Sequence, residues 1–153
     1  MAVLRPEPQG IRSRPRQAHR ERLGHAERLR LVLEILAAYA RAHRALRRAP
    51  IATVVASLRQ QSYQAAQPST DRLDEARRLG RAVTRVLALV PGDTRCLVRS
   101  LVLTRVLARR GIQAKLVIGA RAAPDFLAHA WVECSGDPVL APGDGTFSRL
   151  VEL

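Results

Sequence analysis

The chain is organised around residues 94–133, which place a cysteine at the start of a predicted helix and a histidine on a later predicted strand. A thiol attacks efficiently only as a thiolate, and a helix N-terminus and a nearby imidazole both favour that form. Cys96 and His129 are therefore the first candidates for a catalytic pair. A fold that uses them must bring the start of one helix beside a strand that comes much later in the chain.

Helical periodicity dominates the sequence before this stretch. Apolar residues recur at three- and four-residue steps over 25–48 and again over 70–90, which predicts two amphipathic helices. A shorter helix is expected over 50–61, since a proline is well tolerated in the first helical turn.

The fourth predicted helix and the strands after it carry the candidate pair. We expect Asp93 or Thr94 to cap this helix and Gly111 to close it. The β-branched and apolar runs that follow predict three strands, at 113–119, 128–134 and 139–141. Helices followed by a run of strands indicate an α+β fold rather than alternating βαβ units.

The length of 153 residues suits one domain with a substantial core. We expect residues 25–153 to form one compact domain, with a helical part over 25–90 and the catalytic core over 91–153. Residues 1–24 are rich in Arg, Pro, Gln and Gly and show no apolar period, which predicts a disordered basic arm.

The formal charge of +13 raises the question of a nucleic-acid partner. The arginines alternate with Leu and Ala at helical spacing and lack an aromatic stacking platform, so solvated helix faces or an acidic peptide partner fit better than nucleic acid. No run is apolar enough to span a membrane, and no signal peptide precedes the helices. We expect a cytoplasmic protein with both thiols reduced, without a bound metal or cofactor.

The strand that carries the histidine reads AHAWVE. Because of the strand's pleat, His129, Trp131 and Glu133 point to one face. The indole of Trp131 can therefore pack beside the imidazole and contact a substrate. Cys134 points to the other face, which favours a packing role over that of a resolving thiol. Glu133 and Asp125 are expected to be carboxylates of the surface or the rim.

The chain resembles the transglutaminase-like cysteine peptidase domain of lasso-peptide biosynthesis along two runs, RCLVRSLVLTRVLARRGIQAKLVIGAR and FLAHAWVECSGDPV. The resemblance is close in the second half of the chain and holds only in pattern for the helical first half. It implies a papain-like core, with Cys96 as nucleophile and His129 as general base, that removes the leader from a ribosomally made precursor. It also implies three partners: the precursor with its leader, a separate leader-recognition protein, and the cyclase that forms the macrolactam.

The third catalytic residue departs from the family pattern. Members usually carry an aspartate twelve residues after the histidine, and here that position is Ala141. Two other functions remain open for a chain with the pair formed by Cys96 and His129. One is an amide or acyl transferase, and the other is a non-catalytic scaffold that keeps the fold and binds a peptide.

Two other aspartates are candidates for the third position. A turn at Gly136-Asp137 would place Asp144 opposite His129, whereas a turn at Ser135-Gly136 would not. Asp144 is the first choice and Asp137 the second, because Asp137 lies at the turn itself. A backbone carbonyl could also orient the imidazole.

Overall fold

The computed structural model describes residues 24–50, 53–54, 70–91, 95–122, 125–140, 143 and 147–152. These ranges contain three helices and four strands, which confirms the predicted α+β class. The helices and strands are α1 (His25–Arg48), α2 (Thr70–Leu87), α3 (Cys96–Ala108), β1 (Lys115–Arg121), β2 (Leu127–Cys134), β3 (Asp137–Pro138) and β4 (Ser148–Glu152).

The first two helices follow the apolar periodicity of the sequence. α1 has the predicted bounds, and α2 ends at Leu87, three residues before the predicted end. Of the short helix expected over 50–61, Pro50, Thr53 and Val54 are described, and Thr53 and Val54 are helical. The basic arm lies outside the described residues apart from Gly24. No helix within the described ranges combines the length and the apolar character needed to cross a bilayer.

α3 is the central element of the fold. Its apolar side chains point in all directions, so the helix has to be covered on every side. α1, α2, β1 and β2 all contact it. Its buried residues are Val98, Ser100, Leu101, Val102, Leu103, Thr104, Val106 and Leu107.

The N-terminus of α3 differs from the prediction in one respect. Arg95 is the N-cap residue, with extended backbone angles (φ −54°, ψ 162°), and its side chain makes no capping hydrogen bond. The expected cap at Asp93 or Thr94, both outside the described residues, is therefore wrong. Cys96 is the first residue of the helix, as the thiol chemistry requires.

The C-terminus of α3 closes at a glycine, as predicted. Gly111 has a φ of +66°, which favours glycine, and its N–H donates to the Ala108 carbonyl at 3.0 Å. The Ile112 N–H donates to the Leu107 carbonyl at 3.0 Å, which completes a Schellman motif. This tight turn sends the chain directly into β1.

The sheet is antiparallel throughout, with the strand order β3-β2-β1-β4. β1 pairs with β2 so that Lys115 lies opposite Glu133 and Gly119 lies opposite His129. β4 pairs with the other edge of β1 and was not predicted. All of its residues are exposed, so its sequence lacks the alternation that reveals a half-buried strand.

The turn between β2 and β3 is formed by two residues with positive φ, Ser135 (53°) and Gly136 (87°). Cys134 therefore pairs with Asp137, so of the two turns that the sequence allowed, the structure has the one at Ser135-Gly136 and not the one at Gly136-Asp137. Positive φ at both central residues is the type I′ arrangement, whose twist matches that of the flanking strands. The third strand accordingly begins before the predicted range 139–141, and β3 ends at Pro138.

The enclosure of α3 yields a test with a matched control. Leu103 is 0 % exposed and Leu89 is 86 % exposed. Leu103→Ala should lower the free energy of unfolding by about 2 to 5 kcal/mol, because it removes buried methyl groups and leaves a cavity in the core. Leu89→Ala should change it by less than about 0.5 kcal/mol. Urea denaturation measures both, and equal effects would contradict the central position of α3.

Candidate active site

Cys96 lies in the first turn of α3 and is partly exposed. The first backbone bond of the helix runs from the Arg99 N–H to the Arg95 carbonyl at 3.2 Å. A helix leaves its first N–H groups without partners inside the helix, and the Arg95 side chain does not cap them. These N–H groups can therefore donate to an oxyanion that forms next to the thiol.

A buried hydrogen bond attaches α3 to the strand that carries His129. The Ser100 hydroxyl donates to the Ala130 carbonyl at 3.1 Å. The Val132 carbonyl accepts the Val139 N–H on the β3 side of β2, and alternate carbonyls of a strand point the same way. The Ala130 carbonyl therefore faces the same edge of β2, beyond the end of β3. Ser100 occupies the place that a longer β3 would take.

The direction of α3 brings its start to the histidine end of β2. Only six residues connect the end of α3 to Lys115, which pairs with Glu133, so the C-terminal end of the helix lies at the Glu133 end of the sheet. The N-terminal end must then lie towards the start of β2. Cys96 is one turn before Ser100 on the same face of the helix. The structure thus brings Cys96 to the end of β2 that carries His129.

The imidazole of His129 contacts two aromatic rings. The Trp131 ring stacks on it with 6.2 Å between centroids and an interplanar angle of 18°. The Phe147 ring lies at 5.2 Å with an angle of 31°. The guanidinium of Arg121 lies 5.6 Å from the centroid of Phe147. The two ring contacts restrict the orientation of the imidazole.

Trp131 is itself fixed by a buried carboxylate. Its indole N–H donates to Glu133 Oε1 at 2.7 Å, and Arg149 Nη2 donates to the same oxygen at 2.9 Å. Glu133 is 5 % exposed, so the expectation of a rim carboxylate is wrong: the indole and the guanidinium supply the hydrogen bonds that its burial requires. Trp131 is only 3 % exposed and presents little surface to a peptide. Its predicted contact with substrate stays a prediction.

Sequence reasoning missed two residues that shape this face of the sheet. Gly119 lies under the indole, and a Cβ built there would be 2.9 Å from Trp131 Cη2 and 2.9 Å from the Ser148 carbonyl. Phe147 precedes β4, which the sequence pattern did not reveal. A glycine in the middle of an apolar strand was the one available signal, because it often marks a close approach of another group.

The structure does not bring Asp137 to the imidazole. It pairs with Cys134, five residues along β2 from His129, which corresponds to about 16 Å of strand. Its carboxylate lies 3.9 Å from Arg77 Nη2, and 53 % of the side chain is exposed. Asp137 thus interacts with α2, at the far end of β2.

Asp144 lies outside the described residues. The turn at Ser135-Gly136 removes the register argument that favoured it. The residue bonded directly before it, Gly143, is nevertheless close to the imidazole: a Cβ built on Gly143 would be 3.8 Å from His129 Cδ2. Gly143 therefore lies near the imidazole, which the hairpin register did not predict.

Cys134 belongs to the hydrophobic core, as predicted. It is 4 % exposed and lies on the face of β2 that packs against the helices. Burial raises the pKa of its thiol to about 11, so it stays protonated at neutral pH. Among the described residues, no group of three or more His, Cys, Asp or Glu side chains is placed to hold a metal ion.

The comparison with protein-family models gives one match. The model described as Transglutaminase-like superfamily matches residues 35–152, a range that runs from α1 to β4 and contains both Cys96 and His129. No curated protein and no solved structure matches the chain significantly.

The Glu133 contact can be tested through the only tryptophan of the chain. Glu133→Gln should lower the free energy of unfolding by about 1 to 3 kcal/mol, because the buried indole N–H and Arg149 lose a charged acceptor. Glu152→Gln is the matched control, since Glu152 pairs with Arg149 and Lys115 at the surface and its loss should have little effect. Urea denaturation followed by Trp131 fluorescence measures both variants. A Glu133→Gln protein as stable as the wild type would contradict the role of the Glu133 carboxylate in holding Trp131.

Proposed function

We propose that this chain, which belongs to the transglutaminase-like superfamily, is a cysteine peptidase with Cys96 as nucleophile and His129 as general base. Members of this superfamily are usually cysteine-dependent enzymes, either peptidases or transferases. The observation that carries the proposal is the hydrogen bond from Ser100 to Ala130. It joins the helix one turn after Cys96 to the strand residue next to His129.

The proposed reaction has two steps. The Cys96 sulfur attacks the scissile carbonyl, and the first-turn N–H groups of α3 bind the oxyanion. His129, which holds the thiol proton, gives it to the leaving amine as the carbon–nitrogen bond breaks. Water then attacks the thioester while His129 takes a proton from it, and the same proton returns to the departing sulfur of Cys96.

We further propose that the substrate is the leader segment of a lasso-peptide precursor. The support is the sequence resemblance around CLVRSL, RRGIQAKLVIG and AHAWVE, which lie in α3, at the α3–β1 junction and in β2. A separate recognition protein would present the leader, and a cyclase would use the released core peptide to form the macrolactam. The reaction would take place in the cytoplasm, where both thiols stay reduced.

Asp144 is our choice for the residue that orients His129. It follows Gly143, which lies against the imidazole, whereas Asp137 lies at the far end of β2. A carboxylate at this position would fix the tautomer of the imidazole and stabilise the imidazolium that forms during the reaction.

Ala141 at the usual aspartate position supports a second candidate function, a scaffold that binds a peptide without cleaving it. A scaffold needs neither an accessible thiol nor an oriented base. An acyl transferase with the same pair would differ only in using an amine in place of water. Product analysis by mass spectrometry separates the three cases, since a peptidase releases a free carboxylate and a transferase an amide.

The nucleophile is tested by exchanging each cysteine in turn. Cys96→Ala should abolish leader cleavage and leave the circular dichroism spectrum unchanged, because the side chain lies at a partly exposed helix start. Cys134→Ala is the matched control and should retain cleavage, with a modest loss of stability from its buried site. The assay combines the precursor, the recognition protein and the full chain. Undiminished cleavage by Cys96→Ala would refute the peptidase.

The third residue is tested by two isosteric substitutions. Asp144→Asn should lower kcat by orders of magnitude, as loss of the triad carboxylate does in a serine protease, where the factor is about 10⁴. Asp137→Asn should change kcat little, because its carboxylate faces Arg77. If both variants retain wild-type kcat, a backbone carbonyl or water orients His129, and the site is a dyad.

A further inference from the structure

The outer face of α1 carries a row of exposed leucines. Leu29, Leu33 and Leu36 are 60 %, 57 % and 37 % exposed, and their spacing of four and three residues places them on one side of the helix. Ile35 and Ala38 are buried on the side that packs against the core. The apolar residues of α1 thus form two faces, and the described residues of the fold cover the one with Ile35 and Ala38. Neighbouring exposed leucines are typical of a surface that binds another protein.

The row is bordered by positive charge. α1 contains six arginines and two glutamates, a formal charge of +4. One of the glutamates, Glu27, accepts the Gly24 N–H at the helix start at 3.0 Å. The exposed arginines on α1 include Arg30, Arg41, Arg44 and Arg47.

A shallow groove adjoins the leucine row where α1 meets the end of α3. It is lined by Leu33, Glu34, Arg109 and Arg110. Both carboxylate oxygens of Glu34 accept hydrogen bonds from Arg110, at 3.1 and 2.8 Å. Arg109 Nε lies 3.6 Å from Glu34, and 57 % of the Arg109 side chain is exposed. The carboxylate of the groove is therefore engaged, and the groove presents guanidinium groups to the outside.

A third guanidinium strengthens the positive field at this end of α3. The pKa of Arg105 is lowered, first by burial and then by the charges of Arg41 and Arg109. Within the described part of the chain, Arg105 Nε is buried and has no hydrogen-bond partner. A carboxylate brought to this cluster would relieve the repulsion and accept charge-assisted hydrogen bonds.

We propose that this surface binds an acidic amphipathic helix of a partner protein. The apolar side of that helix would cover the leucines, and its carboxylates would face the arginines. We call the surface the α1 docking face, and it comprises Leu29, Leu33, Leu36, Arg41, Arg105 and Arg109.

Charge decides between this occupant and the alternatives. A second copy of the chain would bring the same arginines to face each other, and the basic segment before Gly24 would repel the surface in the same way. An anionic bilayer would attract the arginines, but the leucine row lacks the aromatic side chains that usually join leucines at a membrane interface. Arg109, whose side chain is 57 % exposed, also presents a planar guanidinium, which suits discrete carboxylates.

The α1 docking face lies away from the proposed nucleophile. Arg105 is nine residues after Cys96 on α3, which corresponds to about 14 Å along the helix axis. A partner can therefore bind here without covering the thiol. The inference is independent of the chemistry proposed for Cys96.

Fluorescence anisotropy with a synthetic probe tests the inference. The probe is a labelled helical peptide with leucines at positions i, i+4 and i+7 and glutamates on both sides of them, and it is titrated with the full chain. We expect saturable binding that Leu33→Ser, Leu29→Ser and Arg109→Glu each weaken by about tenfold or more. Leu89→Ser and Arg78→Glu make the same changes at exposed positions of α2 or just after it, and they should leave the Kd unchanged. Circular dichroism confirms that each variant is folded.

Four outcomes would overturn the inference. Equally tight binding of a scrambled peptide of the same composition would show charge attraction alone. Binding to phosphatidylglycerol vesicles that Leu33→Ser abolishes, without binding of the probe, would assign the surface to a membrane. A dimer that Leu33→Ser dissociates in analytical ultracentrifugation would assign it to a second copy. Probe binding that appears only after removal of residues 1–23 would assign it to the basic segment.

Discussion

A helix that is apolar on every face must be enclosed, and the enclosure of α3 determines the remainder of the fold. α1 and α2 cover it on one side and the sheet covers it on the other. Polar groups within such a helix need partners in the core, and the Ser100 hydroxyl finds one in the Ala130 carbonyl. The same bond fixes how far along β2 the helix lies. The packing of α3 and the position of Cys96 relative to β2 therefore depend on the same contact.

The sheet uses its two faces for different purposes. One face gives Ala130, Val132 and Cys134 to the core. The other face holds the stacked rings of Trp131 and His129 above Gly119, with Glu133 hydrogen-bonded to the indole. Successive side chains of β2 point to opposite faces of the sheet. A register shift of one residue would therefore exchange the side chains of the two faces. The hydrophobic effect that buries the core thus also determines the face on which His129 lies.

The success of sequence reasoning followed the strength of the local signal. The roles of Cys96 and His129 stay predictions, whereas the bounds of α1 and the α+β class followed from helical periodicity and from helices that precede a run of strands. The exposed strand β4 and the turn at Ser135-Gly136 did not, because neither carries an apolar pattern and two turn registers fit the same residues.

The sequence also could not show that the carboxylate of Glu133 is buried. Glu133 is buried because Trp131 and Arg149 reach it, and Arg149 comes from the strand that was not predicted. The apolar period of α1 likewise could not show that Leu29 and Leu33 face outwards, since a helix with two apolar faces has the same spacing on both. Periodicity identifies a face, whereas the rest of the fold decides whether that face is covered.

The central claim is that Cys96 and His129 act as one pair, and the rate of thiol alkylation tests it most directly. Iodoacetamide is added to the native protein at pH 7, and the modified cysteine is identified by mass spectrometry in the wild type and in His129→Ala. We expect Cys96 to react first, Cys134 to stay unmodified because its thiol is buried, and His129→Ala to slow the alkylation of Cys96 by about tenfold or more. A Cys96 that reacts at the rate of a free thiol, and equally in the absence of the imidazole, would contradict the claim.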